Sequence, residues 1–168
     1  MMASEHLLWI FFPLAITLHN LEEAIWLPKW SQHAKKFHRP VGRDEFLFAD
    51  ILVTLLAYLC TFLAIAFPSA WLWRGLFFGF LGTMVVNAFF LHLLGTIVLR
   101  KYSPGLVTGL CLLVPVNSVI LYHALRNKEV NWLEIVVSTG AVALLLLMLL
   151  PLFFHWGRRL IGPLASDS

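Results

Sequence analysis

A histidine and two adjacent glutamates, His19, Glu22 and Glu23, interrupt a run of residues 7–27 that is otherwise mostly Leu, Ile, Phe, Trp and Ala. Imidazole and carboxylate are ligands for zinc or iron, and both also carry protons in catalysis. Asp50, Asn87 and His92 stand inside apolar runs farther along. At about 100° per helical residue, Glu22 lies about 60° to one side of His19 and Glu23 about 40° to the other, so one stripe carries all three. His19 and Glu23, one turn apart, can share an ion, with His92 supplying a third ligand from another helix. Two histidines and one carboxylate leave coordination positions open for water or substrate. Glu22 is then the candidate general base toward a metal-bound water, and Asp50 and Asn87 are candidates to orient the ligands from behind. The same ligands also describe a non-haem iron site, so hydrolysis and oxidation both stay open.

These side chains need elements that bring them together. The 168-residue chain is 60% hydrophobic and 12% charged, which fits an all-α, polytopic membrane helical bundle in one integral domain, residues 1–168. Five apolar segments, at about 7–27, 46–67, 75–99, 104–126 and 133–155, are each long enough to cross roughly 30 Å of hydrocarbon. Pro28, Pro40, Gly42, Pro68, Pro104 and Gly105 punctuate the connections. Residues 1–6 contain no Lys or Arg, and the apolar run after them lacks a small-residue cleavage site, so the first segment reads as a retained helix. Cys60 and Cys111 lie within spans without metal or redox spacing and read as packing residues.

The basic residues set an orientation. Five Lys or Arg at 29–43, two at 100–101 and two at 158–159 fall on one side of such a bundle, against only Arg74, Arg126 and Lys128 on the other. That bias predicts an outside N-terminus, an inside C-terminus and a multi-pass protein of the cell membrane. The net charge of +3 is explained by this topology and does not imply nucleic acid. The basic loop 28–45, with Lys35, Lys36, His33 and His38, either lies along anionic cytoplasmic headgroups or takes an acidic headgroup or substrate.

Topology makes depths comparable. His19 is about eight residues from the cytoplasmic end of the first span, Asp50 about one turn into the second, and His92 about seven residues from the cytoplasmic end of the third. All belong to the inner half of the membrane and can meet there. Two glutamates in a span cost several kcal/mol unless something neutralises them, at roughly 2.5 to 3.5 kcal/mol per central charge. Each residue also has a plainer account. Asp50 sits next to the basic loop as an interfacial residue would, and Asn87 continues the small-residue row Gly75, Gly79, Thr83 that suits interhelical packing within or between chains. Asn87 and His92 lie about 140° apart on an ideal helix, so both face one centre only if the helix bends; His92 is preferred. His123 and Glu134, toward the opposite face, read as a structural pair or as interfacial residues. Pro115 and Asn117 predict a locally satisfied kink.

His19-Asn20-Leu21-Glu22-Glu23, then N-x-x-x-x-H at Asn87 and His92, then Pro104-Gly105 opening the next span, resemble the family of small integral membrane proteins named for its HXXEE motif. The resemblance covers roughly residues 7–122. It implies that His19, Glu22, Glu23, Asn87 and His92 belong together, and it brings no characterised activity.

The expected function is a membrane-embedded metal-dependent enzyme, of hydrolase or oxidase type. Zinc or iron is its cofactor, and its substrate is a lipid or other hydrophobic molecule near the cytoplasmic leaflet. Two alternatives stand beside it: a small proton, cation or solute transporter using Glu22 and Glu23, and a membrane adaptor whose polar cluster only fixes helix packing.

Overall fold

Hydrocarbon offers a backbone amide or carbonyl nothing to bond, so a chain this apolar satisfies its backbone within helices. The computed structural model describes residues 2–31 and 42–161, and among them there is no strand. The helices are α1 (Met2–Trp9), α2 (Phe11–Ser31), α3 (Arg43–Ala66), α4 (Trp71–Leu99), α5 (Leu106–Arg126) and α6 (Trp132–Leu160). They form a helical bundle, as the composition predicts. Within the expected loop 28–45, residues 32–41, with His33, Lys35, Lys36 and His38, lie outside the described residues.

Among the described residues four helices, α3 to α6, are long and apolar enough to cross a membrane. With 21 residues α2 has the length, but His19, Asn20, Glu22 and Glu23 interrupt its apolar run. The first segment is not one helix from residue 7. Ile10 separates α1 from α2, and its amide reaches only three residues back, to the Leu7 carbonyl at 3.3 Å. Pro13 accounts for the break, because it has no amide to donate and its ring crowds the carbonyl of Trp9, four residues earlier.

The centre of the bundle is α4, 56% of whose span is buried inside the chain against 17–22% for the other three long helices. Phe77, Phe78, Phe80 and Leu81 are among its buried apolar side chains. Trp9 stacks on Phe77 at 4.7 Å, Phe12 lies 5.6 Å from Phe80, and Asn117 of α5 donates to the Leu81 carbonyl at 3.0 Å. On another side α6 comes close enough that a Cβ on Gly79 would fall on the Ser138 carbonyl, and one on Gly82 on the Thr139 hydroxyl. Thr83 donates across the same seam to the Thr139 carbonyl at 3.1 Å. The small-residue row therefore serves packing within the chain at Gly79 and Thr83, while Gly75 has open space around it. The α3 N-terminus meets the α6 C-terminus through Glu45 and Arg158, 3.5 Å apart.

Two helices widen for a turn in the same region. In α4, Ala88–Leu93 is a π segment, with the Leu94 amide donating five residues back to Phe89; in α5, Gly109–Leu113 is another, with Val114 donating to Gly109. Pro115 stands two residues after the end of the second segment, so the ladder shift that its missing amide demands takes the form of a π turn. The segments touch: a Cβ on Gly109 would stand 3.2 Å from Ala88 Cβ.

The α4–α6 seam makes a direct prediction. Gly79→Ala forces backbone apart and lowers stability by about 1–3 kcal/mol, while Gly75→Ala is neutral or stabilising by up to about 1 kcal/mol through helix propensity. Unfolding in detergent, followed by circular dichroism, reads both; equal stability of the two variants would mean the seam is looser than described.

Candidate metal centre

The site forms where α2 passes between the loop leading into α5 and the π segment of α4. Asn20 sets the position of α2 against α3, since its amide donates to Thr54 Oγ1 at 2.7 Å and to the Asp50 carbonyl at 3.5 Å, to which Thr54 also donates at 2.9 Å. With Asn20 held, the 100° helical step sends His19, Glu22 and Glu23 toward different neighbours.

His19 and His92 are both fully buried, at 1% and 2% exposure, with rings edge to face and centroids 5.0 Å apart. Glu23, half-buried, places Oε1 3.1 Å from His92 Nε2. One donor atom from each of His19, Glu23 and His92 lies within 4.8 Å of the other two. Asn87 joins them with Nδ2 3.1 Å from His92 Nε2. The ideal-helix separation of Asn87 and His92 thus does not hold. The π turn between them adds a residue per turn, and i→i+5 bonding brings position i+5 back over position i. Each buried imidazole keeps one ring nitrogen without a hydrogen-bond partner, Nε2 in His19 and Nδ1 in His92.

Glu22 is not part of this group of three. Its Oε1 accepts from the Tyr102 hydroxyl and from the Gly105 amide at 2.9 Å, and its Oε2 from the Thr108 amide at 3.1 Å and the Thr108 hydroxyl at 2.6 Å. These are the free donors of the first turn of α5, where an anion is favoured by both unpaired amides and the helix dipole. Thr108 Oγ1 in turn stands 3.1 Å from His19 Nδ1. Asp50 borders the site from α3, with its carboxylate within electrostatic range of Glu23. Among the described residues no hydrogen bond joins it to a histidine.

Gly105 closes one side. Its φ of +89° suits glycine, and a Cβ there would lie 2.6 Å from His92 Cε1 and 2.9 Å from His19 Cε1. Backbone therefore packs against the Cε1 edges of both imidazoles. The loop is tied down by Ser103, whose amide donates to Thr96 Oγ1 at 3.0 Å while Thr96 donates to the His92 carbonyl at 2.7 Å.

The reading by residue type did not single out Tyr102 or Thr108. A signal for Thr108 does exist: Pro104-Gly105 announces a helix start, and a helix start carries free donors that a half-buried carboxylate needs. At the opposite end, Glu134 is engaged in a capping box with Asn131 at 2.9 Å in both directions, and His123 stands edge-on to Tyr122.

Two buried histidines and two half-buried glutamates gathered between helices of an apolar bundle define the class of protein. The family model described as "Protein of unknown function with HXXEE motif" matches residues 9–120, and the chain belongs to that family. It is 50% identical over 149 residues, 89% of this chain and 94% of the relative, to a Bacillus subtilis (strain 168) protein called uncharacterized protein YrkK. No solved structure matches.

Tyr102, outside the helices, supplies a pH prediction. Desolvation, and then its bond to the Glu22 carboxylate, push its phenol up to about 12. The folded protein keeps this proton where an unfolded chain releases it near pH 10. The stabilisation is complete below about pH 10 and is lost as pH climbs through 12. Alkaline difference titration of tyrosinate absorbance, wild type against Tyr102→Phe, is expected to show this one of the three tyrosines ionising late; ionisation near 10 would contradict the contact.

Proposed function

We propose that this chain is a five-span membrane protein with its N-terminus outside. It holds zinc or iron with His19, Glu23 and His92 and acts on a lipid or other hydrophobic substrate near the cytoplasmic leaflet. The observation that carries the reading is the environment of His92 Nε2. A carboxylate oxygen and an amide nitrogen both approach it at 3.1 Å. A ring N–H suits the first and a lone pair the second, so one nitrogen cannot satisfy both. A cation shared with Glu23 removes the repulsion between that lone pair and the carboxylate, since both then face the ion; tetrahedral ligands at about 2.0–2.1 Å stand about 3.3 Å apart. The unpartnered Nε2 of buried His19 supports the same reading.

Bound there, such an ion would polarise an oxygen of the substrate or lower the pKa of a water. The residues of the chain decide access. Side-chain exposure is 15% for Glu23 and 3% for His92, and Gly105 covers the imidazoles on the α5 side. Substrate therefore approaches past Glu23. Glu22 has both oxygens engaged by α5 and suits a positioning role better than the proton transfer suggested by residue type. Asp50, bordering Glu23, is the carboxylate left to exchange protons. The runner-up is a metal-free ion pair between a protonated His92 and Glu23, in a protein whose polar cluster only locks its helices.

Elemental analysis of detergent-purified protein from zinc- and from iron-supplemented cultures separates the two. About one ion per chain is expected in the wild type, falling at least tenfold in His19→Ala and His92→Ala variants of unchanged helical content. Wild-type protein without metal under both conditions would leave the ion pair.

A further inference from the structure

We infer that Glu22 and Thr108 act as a pair of positioning residues: together they fix His19 as its Nδ1–H tautomer, so that its Nε2 lone pair faces Glu23 and His92. The purpose of this lock rests on the metal-centre reading; its existence does not.

Glu22 receives the Gly105 amide on Oε1 and the Thr108 amide on Oε2. Amides only donate, so each oxygen is held as an acceptor, the state of an ionised carboxylate. Thr108 has one hydroxyl proton, and its 2.6 Å contact with Oε2 against 3.1 Å to His19 Nδ1 assigns that proton to Glu22. The shorter distance is that of a charge-assisted O–H···O⁻ bond, about 2.5–2.7 Å. Thr108 Oγ1 therefore meets His19 with a lone pair, and His19 Nδ1 must carry the hydrogen. Nε2 is left as the basic nitrogen, buried and without a protein partner. The opposite tautomer would turn an Nδ1 lone pair against the lone pair of Thr108 Oγ1.

Rotation of the ring is blocked as well. Gly105 and Gly109 both pack on His19 Cε1, which a Cβ on either would reach at 2.9 and 3.5 Å. Carboxylate, hydroxyl and imidazole thus form a chain that orients a ligand nitrogen from behind, and loss of such a group typically costs 10–100-fold in metal affinity.

The test uses full-length protein labelled with ¹⁵N-histidine in detergent micelles without metal, the His19 signals being assigned by their loss in His19→Gln. Two-bond ¹H–¹⁵N spectra distinguish the tautomers. The wild type is expected as Nδ1–H, Thr108→Ser as the same, and Thr108→Val as a mixture or the Nε2–H form. In parallel, zinc affinity should drop 10–100-fold in Thr108→Val and recover in Thr108→Ser. An Nε2–H wild type overturns the inference even if zinc binds, and needs no variant to fold. An Nδ1–H wild type with the expected response to Thr108→Val sustains the lock even if zinc does not bind, in which case only the metal reading falls. A Thr108→Val protein that folds and keeps pure Nδ1–H also overturns it.

Discussion

Adjacent carboxylates on one helix face different neighbours, and when half-buried each must find its own. Glu22 and Glu23 are about 100° apart around α2, and a charge taken even partly out of water is costly without a partner. Glu22 meets the first turn of α5, where two amides and two hydroxyls converge on its oxygens. Glu23 meets His92 on α4. The arrangement of α4 and α5 around α2 follows from this division, because one helix must end where Glu22 reaches it and the other must offer an imidazole at the same level.

The other local features serve that division. The loop before α5 has to enter the bundle for its amides to reach Glu22, which is why Ser103, Pro104 and Gly105 are buried and why Gly105 is in the left-handed region against two imidazoles. The α4 π turn brings Asn87 round to the face that carries His92, and the α5 π turn lets Gly109 settle beside Ala88 and His19. Irregular backbone at membrane depth is tolerated where protein covers it. Here it is covered by the residues it positions.

Much of this was legible in the sequence, for identifiable reasons. The apolar runs announce the helices, and the depth comparison puts His19, Glu23 and His92 at one level, where their donor atoms indeed meet. The break at Ile10 was implicit in Pro13, yet the even apolarity of residues 7–27 masked it. The joint placement of Asn87 and His92 was hidden, because angular arguments assume a regular 3.6-residue turn and the π segment departs from it. The partners of Glu22 were hidden for a different reason: besides two hydroxyls they are backbone amides, which every sequence possesses and none displays. Asp50 borders Glu23 from the Asn20 side of α2, and among the described residues no hydrogen bond joins it to either imidazole.

The most direct test of the account is X-ray absorption at the zinc edge on protein loaded with one equivalent of zinc and desalted. Two imidazole nitrogens and a carboxylate oxygen at about 2.0–2.1 Å are predicted in the wild type, with one imidazole fewer in His92→Ala. Zinc scattering that is the same in wild type and His92→Ala, or zinc lost on desalting the wild type, would contradict a centre shared between α2 and α4.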